Sequence, residues 1–145
     1  MKSDPLITYR RKPAILDTSS LEQFAEVLRD RVTRGREFHC RITNDAELQS
    51  LNARFRGSDY PTDVLSFEGG DIAISFERAK AQAREWGHTT EDEIRILMLH
   101  GVLHVMGMDH ESDSGQMKRA EACWRGKLGL PNGVIQRAGK SGVRE

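Results

Sequence analysis

The chain predicts a single α+β domain, a small mixed sheet packed with helices, with one central buried helix. Three observations carry that expectation. Segments of strand character (6–9, 38–42, 64–67 and 71–75) are interleaved with segments of helical periodicity. The length, 145 residues, suits one domain. Residues 94–105 are apolar on nearly every side, which marks a helix surrounded by other elements. The domain is expected to occupy 1–131. Residues 132–145, rich in Gly and basic side chains (Gly133, Arg137, Gly139, Lys140), read as a flexible tail.

In chain order, Leu6-Ile7-Thr8-Tyr9 is a short β-prone run and the first strand. Ser19-Ser20-Leu21-Glu22 is a capping box, and Leu21, Phe24, Ala25, Leu28 and Val32 follow at helical spacing. Phe38, Cys40 and Ile42 alternate with polar residues, as in a half-buried strand. Asn44-Asp45-Ala46-Glu47 opens a helix with the stripe Leu48, Leu51 and Phe55, broken by Gly57 and Pro61. The runs 64–67 and 71–75 are strands joined by a tight turn at Gly69-Gly70. Residues 79–86 form a helix ending near Gly87. Thr90-Glu91-Asp92-Glu93 is a further capping box at the head of the central helix, which should stop near Gly107. A last amphipathic helix runs from about 114 to 128, closed by Gly129 and Pro131.

Composition excludes several functions. Lys plus Arg is 22, Asp plus Glu is 22, and the formal net charge is zero. A chain that holds nucleic acid by bulk positive charge would be strongly basic. The balance nevertheless hides local clusters: Arg10-Arg11-Lys12, Arg54 with Arg56, and Lys118-Arg119. The apolar run 96–108, interrupted by His100 and His104, is shorter than the ~18 residues of a membrane span. Cys40 and Cys123 form no framework and read as small buried residues in a reducing cytosol. Residues 1–5 lack the apolar core of a signal peptide, so the expected location is cytoplasmic.

Three of the five histidines, His100, His104 and His110, fall within eleven residues. His100 and His104 are i and i+4, on one face of the buried helix, where two imidazoles can converge on one ion. A turn at Gly107 could return His110 to the same ion as a third ligand, leaving a fourth tetrahedral position for water. Two other readings stand beside this one. The histidines could be hydrogen-bonded core residues, or a closed structural zinc could take Cys123 as its fourth ligand. The spacing also matches the zincin protease pattern HExxHxxGxxH, but Gly101 stands where those proteases carry their general base. Glu93 shares the helical face of His100 but lies two turns away.

At these residues the chain resembles the YbeY family of bacterial metallo-endoribonucleases. Residues 100–110, His-Gly-Val-Leu-His-Val-Met-Gly-Met-Asp-His, fit the form HGxLHxxGxDH at every fixed position. Residues 51–67 resemble the form LNxxYRGKDxPTDVLSF, with departures at Ser58 and Tyr60 that remove positive charge. The resemblance implies His100, His104 and His110 as ligands of one zinc ion and Arg56 as the functional arginine. A planar guanidinium suits that role, because it binds phosphate bidentately and opposes the charge that grows in phosphoryl transfer. Asp109 is a candidate either to orient a ligand's second nitrogen or to cap the turn, and Asp63 is a weaker candidate of the same kind. The implied activity is zinc-dependent, single-strand-specific cleavage of RNA in maturation of the small-subunit ribosomal RNA 3′ end and in ribosome quality control. The implied partners are ribosomal RNA and the ribosome or its small-subunit proteins, with no membrane. A zincin-like protease and a non-catalytic ribosome-assembly factor with a structural zinc are the alternatives.

Overall fold

The computed structural model of the chain describes residues 4–57, 62–109 and 112–131. The expectations for Ser58, Tyr60, Pro61, His110 and the 132–145 tail therefore lie outside the described residues. Among the described residues four strands form one mixed sheet in the order β1-β2-β4-β3, where β1 is Ile7–Tyr9, β2 is His39–Thr43, β3 is Val64–Ser66 and β4 is Asp71–Ser75. Strands β1, β2 and β4 are parallel, with Cys40 opposite both Ile7 and Ile72. Strand β3 is antiparallel to β4, with Leu65 opposite Ala73. The α+β architecture expected from the sequence is what forms.

Among the described residues five α-helices pack around the sheet: α1 Thr18–Val27, α2 Asp45–Arg56, α3 Phe76–Trp86, α4 Thr90–Val105 and α5 Gln116–Leu128. Alternation along the strands decides which helix goes where. Cys40, Ile42, Ile72 and Ile74 point to one face and form the larger core with α1, α3, α4 and α5. Ala73 and Leu65 point to the other and pack with Leu48 of α2. The central helix is buried as expected: Ile94, Leu97, Met98 and Val102 are fully enclosed, and α4 touches α1, α3, α5, β3 and β4.

The helix ends are set by side-chain caps, and several differ from the expected positions. Asp17, not Ser19, caps α1, accepting from Ser20 N at 3.1 Å. Glu22, expected to close a box, instead accepts from Leu6 N and Ile7 N at 2.9 and 3.2 Å and ties α1 to β1. After Val27 the helix widens into a π-helical turn, Leu28–Val32. Asn44 caps α2 as expected, and Gly57 ends it at φ 69°. Helix α3 starts three residues before the expected 79, because Ser75, the last strand residue, caps Arg78 N. Thr89, one residue earlier than expected, caps α4 through Asp92 N at 3.0 Å.

Two further expectations are corrected. Phe55 was expected on the buried stripe of α2, but it is 60% exposed, and its ring meets Phe67 edge-on at 5.6 Å. Cys40 is buried, and burial pushes its thiol well above the usual cysteine range. Cys123 is exposed on α5 rather than buried. No helix among the described residues is long and apolar enough to cross a membrane.

Candidate functional site

Helix α4 brings His100 and His104 onto one face, their ring centroids 4.8 Å apart and their planes at 75°. That follows from the i, i+4 spacing, since side chains one turn apart lie above one another. His100 is 6% exposed. A bare imidazole there would be costly, and a buried carboxylate removes the cost. Nδ1 of His100 lies 2.8 Å from Oε2 of Glu121, which α5 supplies at 1% exposure. The carboxylate holds the proton on Nδ1 and places the imidazole lone pair on Nε2. A carboxylate behind a histidine is the usual support of a metal-ligating imidazole. The donor set present therefore fits a divalent ion held by imidazoles, with α4 supplying two rings. Among the described residues no group of three His, Cys, Asp or Glu is arranged to hold a metal.

Helix α4 ends where the chain must turn toward residue 110. Gly107 takes φ 95°, its N–H donates to His104 O at 2.9 Å, and Met108 N donates to Leu103 O at 3.1 Å. This pair of bonds is a Schellman ending, which reverses the chain at Gly107, three residues after His104.

Gly101 explains how the histidine face approaches the sheet. A Cβ there would stand 2.9 Å from Cγ2 of Ile72 and 3.2 Å from Oγ of Ser66. Only glycine lets α4 lie this close to β3 and β4. The same contact leaves no room for the glutamate that zincin proteases carry after the first histidine. Glu93 offers no substitute, because it is buried and its Oε1 lies 2.6 Å from Nε2 of His88.

Arg56 reaches the same corner of the molecule from α2. It is the last residue of that helix, and its Nη2 donates to Ser66 O at 2.7 Å. Ser66 Oγ donates in turn to Gly101 O at 3.1 Å, beside His100. The guanidinium has five donors, and this bond takes one.

Other sequence candidates settle elsewhere. The carboxylate on His100 is that of Glu121, and the backbone oxygen of Asp109 accepts from Ser112 N and Asp113 N. Asp63 is a connector of elements: its carboxylate accepts from Gln82 Nε2 at 3.2 Å and its backbone oxygen from Ser75 N. Cys123 lies two positions from Glu121, about 200° around α5, so it faces solvent where Glu121 faces His100. A closed site using Cys123 has no support in this arrangement. Glu121 went unnoticed in the sequence, although an acid between Met117 and Trp124 on the apolar side of α5 was a usable signal.

Comparison with known proteins agrees with this layout. The sequence profile of the family described as Endoribonuclease YbeY matches residues 7–125. An endoribonuclease YbeY of Solibacter usitatus is 56% identical over 136 residues, covering 90% of this chain and 92% of that protein. One from Koribacter versatilis is 43% identical over 141 residues, covering 93% of each. The solution structure of TM1509 from Thermotoga maritima superposes with a TM-score of 0.56 at 28% identity, over 84% of this chain and 91% of that one. With the fold, the histidine face and the profile match in accord, the chain belongs to the endoribonuclease YbeY family.

Proposed function

We propose that this chain is a zinc-dependent, single-strand-specific endoribonuclease, acting in the cytoplasm on ribosomal RNA at the ribosome, in small-subunit 3′-end maturation and in ribosome quality control. The observation that carries the reading is the buried His100–Glu121 pair beside His104, with Arg56 tied to the same helix through Ser66. In this reading His100, His104 and His110 hold one zinc ion. Bound there, zinc would supply a Lewis acid at the scissile phosphodiester. Glu121 keeps His100 in one tautomer and one orientation. Arg56 binds a phosphate oxygen and offsets the charge that develops there, a contribution worth most where water is excluded. Product ends identify the nucleophile: a cyclic phosphate end marks attack by the neighbouring ribose hydroxyl rather than by water.

The test is metal analysis joined to a chelator-controlled ribonuclease assay on single-stranded RNA. About one equivalent of divalent metal per chain is expected, with cleavage lost on chelation and in His104→Ala, and strongly reduced in Arg56→Glu. Cleavage of casein with RNA untouched would instead establish the protease. Less than about half an equivalent of metal, with no metal-dependent cleavage by highly purified protein, would leave only an assembly factor.

A further inference from the structure

Open sheets with parallel strands take ligands at the carboxyl edge, where neighbouring strands send their connections to opposite faces. Strand β2 is such a place on both sides. Its own connection leads to α2, which packs against Leu65 and Ala73. Its neighbours β1 and β4 lead to α1 and α3, which pack on the other face. A cavity of about 670 Å³ opens at this edge, lined by Arg10, Arg11 and Lys12 after β1, Ile42 and Thr43 of β2, and Phe76 after β4. It lies away from the histidines. Gly101 touches Ile72 near the start of β4, whereas Phe76 follows its end, about 13 Å further along the strand.

The lining has the chemistry of a phosphate site. Arg29, Arg41, Arg78 and Arg95 each lie within 3.1 Å of a carboxylate oxygen. Arg10, Arg11 and Lys12 take part in no salt bridge among the described residues. The acid in the lining, Glu77, is engaged by Asp45 N at 2.7 Å. Thr43 is 4% exposed, and its Oγ1 has no partner at hydrogen-bond distance among the described residues, though it sits near enough to Glu47 to help hold that carboxyl low. Phe76 adds an aromatic wall on which a base can stack. In a chain of zero net charge, three adjacent cations outside any salt bridge among the described residues at a concave edge, Arg10 among them also near enough to lower the Glu47 carboxyl, focus positive potential locally.

We propose that this cavity is a second binding site for the phosphate backbone of RNA, independent of the metal and separate from the histidine face. It rests on the ribonuclease reading for its choice of RNA. The cavity grips the strand at a distance while the histidine face cuts it.

The test uses the full chain and the exposed double variant Arg11→Glu/Lys12→Glu. Fluorescence anisotropy with a single-stranded RNA of about 20 nucleotides, in chelator, should show the variant binding at least about tenfold more weakly. The slope of log affinity against log salt should fall by about 1.4, two phosphate contacts at ~0.7 each. With metal restored, KM should rise by about the same factor while kcat at saturating RNA is unchanged. Thr43→Val should weaken binding in the same direction. Equal affinity and equal salt slope in variant and parent would overturn the site, as would a loss of kcat with KM unchanged. Amide signals of Arg11, Thr43 and Phe76 that shift with AMP but not with the RNA would make it a free-nucleotide site and equally end the proposal. If the parent cuts no RNA yet binds it through these residues, the ribonuclease reading fails and the cavity stands. If it neither cuts nor binds RNA, both fall.

Discussion

Gly101 is the residue at which geometry and function meet most tightly. A side chain there collides with Ile72 and Ser66, so α4 would have to lift from the sheet and carry His100 and His104 with it. Gly101→Ala should therefore cost about 1–3 kcal/mol, the range for an overpacked core. Urea unfolding of the variant measures this, and an unchanged midpoint would show that the contact is slack. Glu121 is the second informative residue. Glu121→Gln keeps the shape but gives up the charge behind His100, and loss of such a support weakens metal binding by about 10–100-fold. Competition with a chromophoric chelator reads that loss directly. Parent-like affinity in the variant would mean that the carboxylate only fills the core.

At the scale of elements, the joint between β2 and α2 depends on charge. Nε of Arg41 donates to Oε1 of Glu47 at 2.7 Å. That hydrogen bond holds the Glu47 carboxyl below its ordinary value. A carboxyl lowered by folding contributes stability that is complete above its unfolded value, near 4.3, and fades as the pH falls through the lowered one. The parent should thus lose stability on acidification in a window that begins just below that value. Arg41→Ala should flatten that part of the profile, as followed by thermal melts between neutral and acid pH. Identical profiles would mean that solvent screens the pair. Helix starts teach a related lesson. The residues able to cap were visible in the sequence, but which of two neighbours does so (Asp17 or Ser19, Thr89 or Thr90) depended on where the preceding strand or turn delivered the chain.

For the whole molecule, metal and fold are linked by mass action. A ligand that binds only the folded chain stabilises it by about 2.7 kcal/mol at a hundredfold excess over Kd. Zinc at that excess should raise the melting temperature of the parent and leave His104→Ala nearly unmoved, as differential scanning calorimetry would show. A rise of the same size in the variant would place the metal elsewhere. Charge belongs to this scale too. Zero net charge argues against tight, nonspecific holding of RNA. It does not oppose local grip, and the cations at the carboxyl edge of the sheet are placed for that.

The sequence by itself determined the element order, the buried central helix and the pairing of His100 with His104. Each of these follows from short-range periodicity: two residues for strands, three to four for helices. The family followed from motifs equally local, residues 51–67 and 100–110. Tertiary structure alone decided the rest. It put Glu121 behind His100 from 21 positions away, tied Arg56 to Ser66 and Ser66 to Gly101, turned Phe55 out to solvent, and set Arg10, Thr43 and Phe76 around one cavity. Such pairings depend on how strands order in the sheet and which face each helix takes. Those choices are made by the burial of the whole core and leave no periodic trace in the chain.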